Sequence, residues 1–206
     1  MADRHTTPHV QTLPPRPFIV PAAIVASLFL VGVIGWMIES RAQILRAGQE
    51  AVLETQPIDP RDLLRGRYVR LNYAIGRPDT ELVTAFFEAL PQESFDDRFY
   101  QDQVIYVLLR LDEAGFHRVS AISMDRPEDG LFIRGEADFN PTSRSLLTID
   151  YGISRFYTNE KLAPELEARM RGGEKTTVIV AVDDHGSAQI KAFRQDGVNI
   201  VTEQLY

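Results

Sequence analysis

The sequence predicts an α+β protein in which one N-terminal transmembrane helix precedes a sheet-rich, mainly antiparallel domain. Three observations lead to this prediction: a long uncharged apolar segment, two hairpin patterns, and two short helical segments that lie between strand patterns. Because the strand patterns are joined mostly by short turns, antiparallel pairing is favoured over a parallel sheet.

The apolar segment comprises twenty-one consecutive residues without a charge, from Phe18 to Ile38. As a helix rising about 1.5 Å per residue it would be roughly 30 Å long, which matches the hydrocarbon core of a bilayer. Cleavable signal peptides have shorter apolar regions of about 7–15 residues, so the segment predicts an uncleaved signal anchor over residues 18–47. Cleavage stays open as an alternative, since Ser40 and Ala42 are small residues of the kind that a signal peptidase reads.

The flanks of this segment predict its orientation. Residues 1–17 are polar and proline-rich, which predicts a disordered tail. The tail carries a charge of about +1 and the opposite flank about −1, which favours a cytoplasmic tail and an extracytoplasmic domain over residues 48–206. Membrane lipid is then expected to contact Phe18–Ile38.

Composition excludes several classes of function. The formal net charge is −7, so the chain as a whole does not attract nucleic acid, and we expect no nucleic-acid partner. The sequence contains no cysteine, which excludes disulfides, thiol catalysis and thiolate metal sites.

Strands, helices and turns follow from local patterns. Asp112–Gly115 and Asp183–Gly186 each open on Asp and close on Gly, as hairpin loops do. The segments beside these loops are predicted strands: Val104–Leu111, Phe116–Ile122, Thr176–Val182 and Ser187–Phe193. Alternating apolar and polar residues predict further strands at Tyr68–Ile75 and Leu147–Ile153, and helices are predicted at Glu81–Leu90 and Lys161–Met170. Residues 49–60 are predicted to be a connector with at most a short strand at Val52 and Leu53.

The order of these patterns suggests an internal duplication of a strand-helix-hairpin unit, with repeats at 61–125 and 130–195. Arg65-Gly66 is echoed by Arg134-Gly135, and Leu71–Ile75 by Ile149–Ile153. The hairpin Leu108–Ile122 aligns with Ile179–Phe193 without a gap. Chance similarity is the alternative. Positive φ angles at Gly115 and Gly186, and matching positions of Tyr73 and Tyr151 on their strands, would argue against chance.

Residues 57–73 resemble the signature of the GDYXXLXY family of bacterial membrane-anchored proteins. Gly66, Tyr68, Leu71 and Tyr73 stand at the spacing of the family name, whereas Arg67 replaces its Asp. Tyr151–Glu160 is similar to the family's second block, with Asn159 where Pro is usual. The resemblance implies one N-terminal membrane helix, location in the bacterial inner membrane, and no assigned activity. The Arg67 replacement argues against a catalytic role for the family's Asp.

Candidate binding residues cluster at this signature. Arg65, Arg67 and Arg70 form a local positive patch that could bind an anion, and Tyr68 could face a ligand. The competing interpretation pairs these arginines with nearby aspartates or lipid headgroups and packs Tyr68 on a sheet, with Leu71 and Tyr73 in the core. His185 beside Asp183 and Asp184, and the acidic segments 93–97 and 125–129, have the composition of solvated turns.

No local pattern indicates catalysis. The sequence lacks the motifs of serine hydrolases, zinc proteases, P-loop proteins and dinucleotide-binding proteins, so no cofactor or metal is expected. The leading hypothesis is a non-enzymatic, membrane-anchored binding or assembly protein whose partner is another membrane protein. The alternative is a hydrolase that acts on envelope polymers through paired carboxylates.

Overall fold

The computed structural model describes residues 19–56, 68–90, 99–140, 147–157, 176–195 and 198–202, with the backbone alone at Ile19, Tyr68–Arg70 and Tyr157. The chain divides into two compact units, Met1–Ser40 and Arg41–Tyr206. The second unit contains every sheet that the described residues form. The observed antiparallel sheets after an N-terminal apolar helix confirm the predicted α+β class.

Helix α1 spans Ile19–Ala47, and Val20–Ala47 is long and apolar enough to cross a membrane. Its length and composition suit either an anchor or a signal sequence. The helix ends at Gly48, whose N–H donates to the Ile44 carbonyl at 2.9 Å. A Cβ at this position would lie 2.5 Å from the Ile44 oxygen and 2.9 Å from the Val182 oxygen, so the chain needs glycine here.

Eleven strands and a second α-helix make up the described part of the domain. The strands are β1 (Gln49–Gln56), β2 (Tyr68–Arg70), β3 (Asn72–Tyr73), β4 (Tyr100–Leu111), β5 (His117–Ser123), β6 (Phe132–Phe139), β7 (Thr148–Asp150), β8 (Arg155–Tyr157), β9 (Thr176–Val182), β10 (Ala188–Gln195) and β11 (Val198–Thr202). They form a sheet in the order β5-β4-β6-β7, a sheet in the order β11-β10-β9-β1-β3, and the pair β2-β8. Every pairing between these strands is antiparallel.

The expectation of a connector over residues 49–60 is wrong for residues 49–56. β1 is eight residues long and pairs with β9 along most of its length, so that Leu53 lies opposite Val178 and both are fully buried. The local sequence gave only a weak strand pattern because the partner that stabilises β1 is more than a hundred residues away. The remainder, residues 57–60, lies outside the described residues.

The predicted strand Tyr68–Ile75 is divided in two. β2 pairs with β8, β3 pairs with β1, and a 3-10 turn follows at Ala74–Gly76. Between the strands the Leu71 N–H donates to the Ser154 carbonyl at 2.9 Å. The burial alternation nevertheless persists, with Leu71 and Tyr73 buried before the turn and Ile75 buried within it. The predicted strand Leu147–Ile153 is likewise shortened to β7.

Helix α2 spans Thr80–Ala89 and supplies aromatic side chains to the core. Asp79 is the N-cap residue, without a side-chain hydrogen bond to the helix, and Leu90 ends it in an extended conformation before Pro91. Phe86 and Phe87 are both buried and make edge contacts with Phe139 of β6 at ring-centre distances of 5.8 and 5.6 Å. α2 therefore packs on the core through its apolar face. The predicted helix Lys161–Met170 lies outside the described residues.

The two hairpins share their register. Each contains a bulge at the same place: Ser120 is the extra residue opposite Leu108 and Leu109, and Lys191 is the extra residue opposite Ile179 and Val180. Gly115 and Gly186 close the turns at φ of 85° and 84°.

The strand that pairs with the first strand of each hairpin departs from the predicted repeats. β4 pairs with β6 as β9 pairs with β1, which sets Arg134-Gly135 level with Glu54-Thr55 rather than with Arg65-Gly66. The counterpart of β6 is therefore β1, which precedes the predicted first repeat 61–125. The correspondence is one of geometry, and duplication of an ancestral unit stays a prediction.

Candidate functional site

Two buried tyrosines lock the signature segment to a second, similar segment. The Tyr73 hydroxyl donates to the Ile153 carbonyl at 2.9 Å, and the Tyr151 hydroxyl donates to the Ile75 carbonyl at 2.8 Å. Each tyrosine thus bonds the residue two positions beyond the other. Burial raises the pKa of both phenols far above the ordinary value, so both stay protonated and can donate.

The backbone of the second segment is shaped for this contact. Gly152 has a φ of 72°, a conformation that favours glycine, and its N–H donates to the Asp150 carboxylate at 2.9 Å. On β6, a Cβ at Gly135 would lie 2.5 Å from the Ile149 side chain and 3.0 Å from the Tyr151 ring. Glycine at position 135 therefore makes room for the buried tyrosine.

A polar cleft of about 180 Å³ lies between the two locked segments. The two tyrosines line it together with residues that carry amide, hydroxyl, carboxylate and guanidinium groups. These groups belong to Gln56, Asn72, Arg77, Thr148, Asp150 and Ser154. Such a mixture suits a polar ligand or a polar side-chain cluster of a partner, since each wall offers both donors and acceptors.

A second cavity, the charged pocket, has a volume of about 310 Å³ and shares Asp150 and Tyr151 with the cleft. Two guanidinium and two carboxylate groups line it, namely Arg41, Arg134, Glu136 and Asp150, and Ser187 and Gln189 add polar groups. Glu136 and Asp150 are directly opposite each other on β6 and β7. The pocket therefore combines both signs of charge.

His117 joins the first hairpin to β1. Its Nδ1 accepts a hydrogen bond from the Val52 N–H at 3.0 Å, which requires an unprotonated Nδ1. Burial lowers the pKa of this histidine. Beside it, Arg118 bridges Glu54 at 2.6 Å and Asp112 at 3.0 Å. The hydrogen bond from the Phe116 N–H lowers the pKa of the Asp112 carboxyl most, and the hydrogen bond from the Arg118 side chain lowers it further. These contacts fix the hairpin against the neighbouring sheet.

His185 lies in the turn of the second hairpin. Its Nδ1 is 3.2 Å from an Arg126 guanidinium nitrogen, and Asp183 accepts backbone N–H bonds from His185 and Ser187 at 2.8 Å. Asp183 is thus occupied in shaping the turn. Within the part of the chain that the structure describes, no three His, Asp or Glu residues are grouped so as to hold a metal ion.

The site residues predicted from the sequence differ in how far the structure describes them. Arg65, Gly66 and Arg67 lie outside the described residues. Tyr68 and Arg70 stand opposite Tyr157 and Arg155 in the β2-β8 pair, where only the backbone of Tyr68 and Arg70 is described. Their anion-binding role therefore stays a prediction. Leu71 and Tyr73 are buried.

The charged residues that line the two cavities do not form a recognisable site in the sequence, although Leu71 and Tyr73 of the cleft belong to the signature. Arg41 comes from α1, Glu136 from β6, Asp150 from β7 and Ser187 from the second hairpin. The available signal was the alternation along β6, where Arg134, Glu136 and Asp138 are exposed and the residues between them are buried. That pattern predicts a polar face but does not reveal which elements face it.

Comparison with known proteins supplies the family. No curated protein and no solved structure matches the chain. The GDYXXLXY protein family matches residues 30–193, which include the end of the apolar helix, the signature segment and both hairpins. This match covers most of the chain and confirms the resemblance carried by Gly66, Tyr68, Leu71 and Tyr73. The chain belongs to the GDYXXLXY protein family.

Proposed function

We propose that this chain is a single-pass, membrane-anchored binding or assembly protein of the bacterial inner membrane. Its N-terminus lies in the cytoplasm, its domain lies on the extracytoplasmic side, and its partner is another membrane protein. The exposed apolar helix carries this proposal, because every described side chain from Val20 to Ser40 is exposed. Apolar surface costs about 25 cal/mol per Å² in water, so a helix of this kind needs a bilayer.

The polar cleft supports a binding role for the domain. Two reciprocal hydrogen bonds hold its walls, so little conformational entropy is lost when a partner docks there. Tethering to the membrane confines the domain near other membrane proteins, which raises their effective concentration. Modest contacts at the cleft therefore suffice for assembly.

Affinity purification of the full-length chain in mild detergent tests this proposal. We expect a stoichiometric membrane protein to co-purify with the wild type and to be lost with Asn72→Ala/Arg77→Ala, which removes two exposed cleft side chains. The matched control is Arg110→Ala/Glu113→Ala at an exposed hairpin end, which should retain the partner. A partner-free monomer in several detergents, or equal recovery from both double variants, would contradict the proposal.

The alternative, a hydrolase that acts on envelope polymers, has one observation in its favour: Glu136 and Asp150 line the same pocket. Both carboxylates are exposed, however, whereas a glycosidase's general acid normally needs a desolvated setting. Hydrolysis of purified envelope glycan by the wild type, abolished in Glu136→Gln, would establish this alternative. The binding role is the better supported of the two.

A further inference from the structure

The charged pocket contains an unfavourable arrangement that a ligand would relieve. Glu136 and Asp150 are directly opposite each other on adjacent strands, and like charges in that position repel. Asp150 is held in place by the Gly152 N–H. None of the ion pairs between described residues involves either carboxylate. A cation of the right shape is therefore the complement of this wall.

The same pocket offers two cations. Arg41 and Arg134 line it, and neither takes part in an ion pair between described residues. Guanidinium groups match the geometry of phosphate oxygens and bind them through paired N–H donors. A ligand that satisfies the whole pocket thus carries a phosphate and a cation a short distance apart.

The position of Arg41 indicates where such a ligand comes from. Arg41 is three residues beyond Ile38, where the uncharged segment ends, which is about 4.5 Å along a helix axis. Side chains at this distance from an apolar span reach the headgroup layer of a bilayer. A phospholipid headgroup is therefore within reach of the Arg41 side chain when the helix is inserted.

We propose that the charged pocket binds the phosphoethanolamine headgroup of a membrane lipid, with the phosphate at Arg41 and Arg134 and the ammonium at Glu136 and Asp150. A primary ammonium has three N–H donors for the two carboxylates, whereas a choline headgroup has none. A bare divalent cation fits less well, because the two guanidinium groups repel it. This inference rests on the proposed membrane anchoring.

Binding of defined lipids to the delipidated full-length chain in detergent tests the inference. The probes are short-chain phosphatidylethanolamine, phosphatidylcholine and phosphatidylglycerol, together with soluble glycerophosphoethanolamine. We expect phosphatidylethanolamine to bind most tightly. Glu136→Gln should weaken it about tenfold while sparing phosphatidylglycerol, and Arg134→Gln should weaken all three lipids. Asp138→Asn is the matched control on the same strand, since its amide oxygen still accepts the Asp102 N–H bond.

Three results would overturn the inference: equal binding of phosphatidylethanolamine and phosphatidylcholine, unchanged binding in both Glu136→Gln and Arg134→Gln, or equal loss in Asp138→Asn. Equal affinity for glycerophosphoethanolamine would overturn the assignment to a lipid and assign the pocket to a soluble phosphodiester. Because Arg134 and Glu136 are exposed, both variants should unfold at the wild-type temperature. The anchoring itself is read separately by membrane fractionation, so failure of either proposal is distinguishable.

Discussion

Tyr73 and Tyr151 each combine a buried ring with a hydroxyl that satisfies a carbonyl of the other segment. Their sequence surroundings, Asn-Tyr-Ala-Ile and Asp-Tyr-Gly-Ile, mark them as a matched pair. The exchange of hydrogen bonds between the two segments is a tertiary feature, which the local pattern could not reveal. The pair is the residue-scale basis of the cleft.

Removing these hydroxyls is expected to weaken the domain. Tyr73→Phe and Tyr151→Phe should each lower the free energy of unfolding by about 1–2 kcal/mol, because each leaves a buried carbonyl without its donor. Tyr106→Phe is the control, since the Tyr106 ring packs on Phe132 and has no hydroxyl hydrogen bond between described residues. Denaturant unfolding of the full-length chain in detergent measures the effect. Losses no larger than that of the control would show that the bonds contribute nothing.

His117 should make stability depend on pH. Its pKa is lowered in the folded domain, so protons bind more readily to the unfolded chain, and stability is present above the ordinary histidine pKa of about 6.5. This contribution to stability should be lost as the pH falls through the lowered pKa that His117 has in the folded domain. The charged group that acts on the imidazole is Asp112, whose own pKa is lowered by the Phe116 N–H bond and by Arg118, so that it titrates at lower pH.

His117→Asn tests this linkage, because an amide oxygen can replace Nδ1 as acceptor and does not titrate. The unfolding midpoint of the wild type should fall between pH 7 and about pH 5 more steeply than that of the variant. Thermal unfolding across this range, followed by circular dichroism, is the measurement. Parallel pH profiles for the two proteins would assign the dependence to other groups.

At the scale of elements, local chemistry is sufficient for the hairpins and insufficient for β1. Asp112 and Asp183 each accept two backbone N–H bonds within their own turns, so the turn sequence alone specifies the geometry. β1 instead depends on β9, and its strand character appears only when that partner packs, whereas the alternation along β6 is visible in the sequence. This difference explains why the turn sequences predict the hairpins to within a few residues, whereas the sequence of β1 predicts a connector.

The two turn glycines permit a matched comparison. Gly115→Ala should cost about 1–2 kcal/mol from the positive φ alone, because a Cβ there meets nothing within 4 Å. Gly186→Ala should lower the free energy of unfolding by more, since its Cβ would lie 2.8 Å from the backbone nitrogen of Arg134 and 3.0 Å from the Phe132 ring. The difference in unfolding free energy between the variants isolates the docking of the second turn on β6. Equal losses would mean that this turn moves away without penalty.

At the scale of the whole molecule, the sequence indicated the family, the apolar helix and the fold class but not the candidate site. The predicted arginines cluster near one short segment, whereas the charged pocket draws on α1, β6, β7 and a hairpin turn. Arg41 and Asp150 are more than a hundred positions apart and lie in one pocket only because the strands pair in this order. The residues of such a pocket are brought together by the strand topology, which cannot be read from a single sequence.

Orientation across the membrane is the last prediction, and it decides which partners the domain can meet. A reporter that is active only after export, fused after Tyr206, should be active, because the tail is slightly more positive than the flank that follows the helix. N-terminal sequencing of the mature protein should find the tail intact, since the apolar segment is longer than a cleavable signal's. The control is the same fusion without residues 18–38, which should remain inactive. An inactive wild-type fusion would place the domain in the cytoplasm, whereas a mature chain that begins near Gln43 would replace the anchor with a cleaved signal and leave the headgroup pocket without its arginine at position 41.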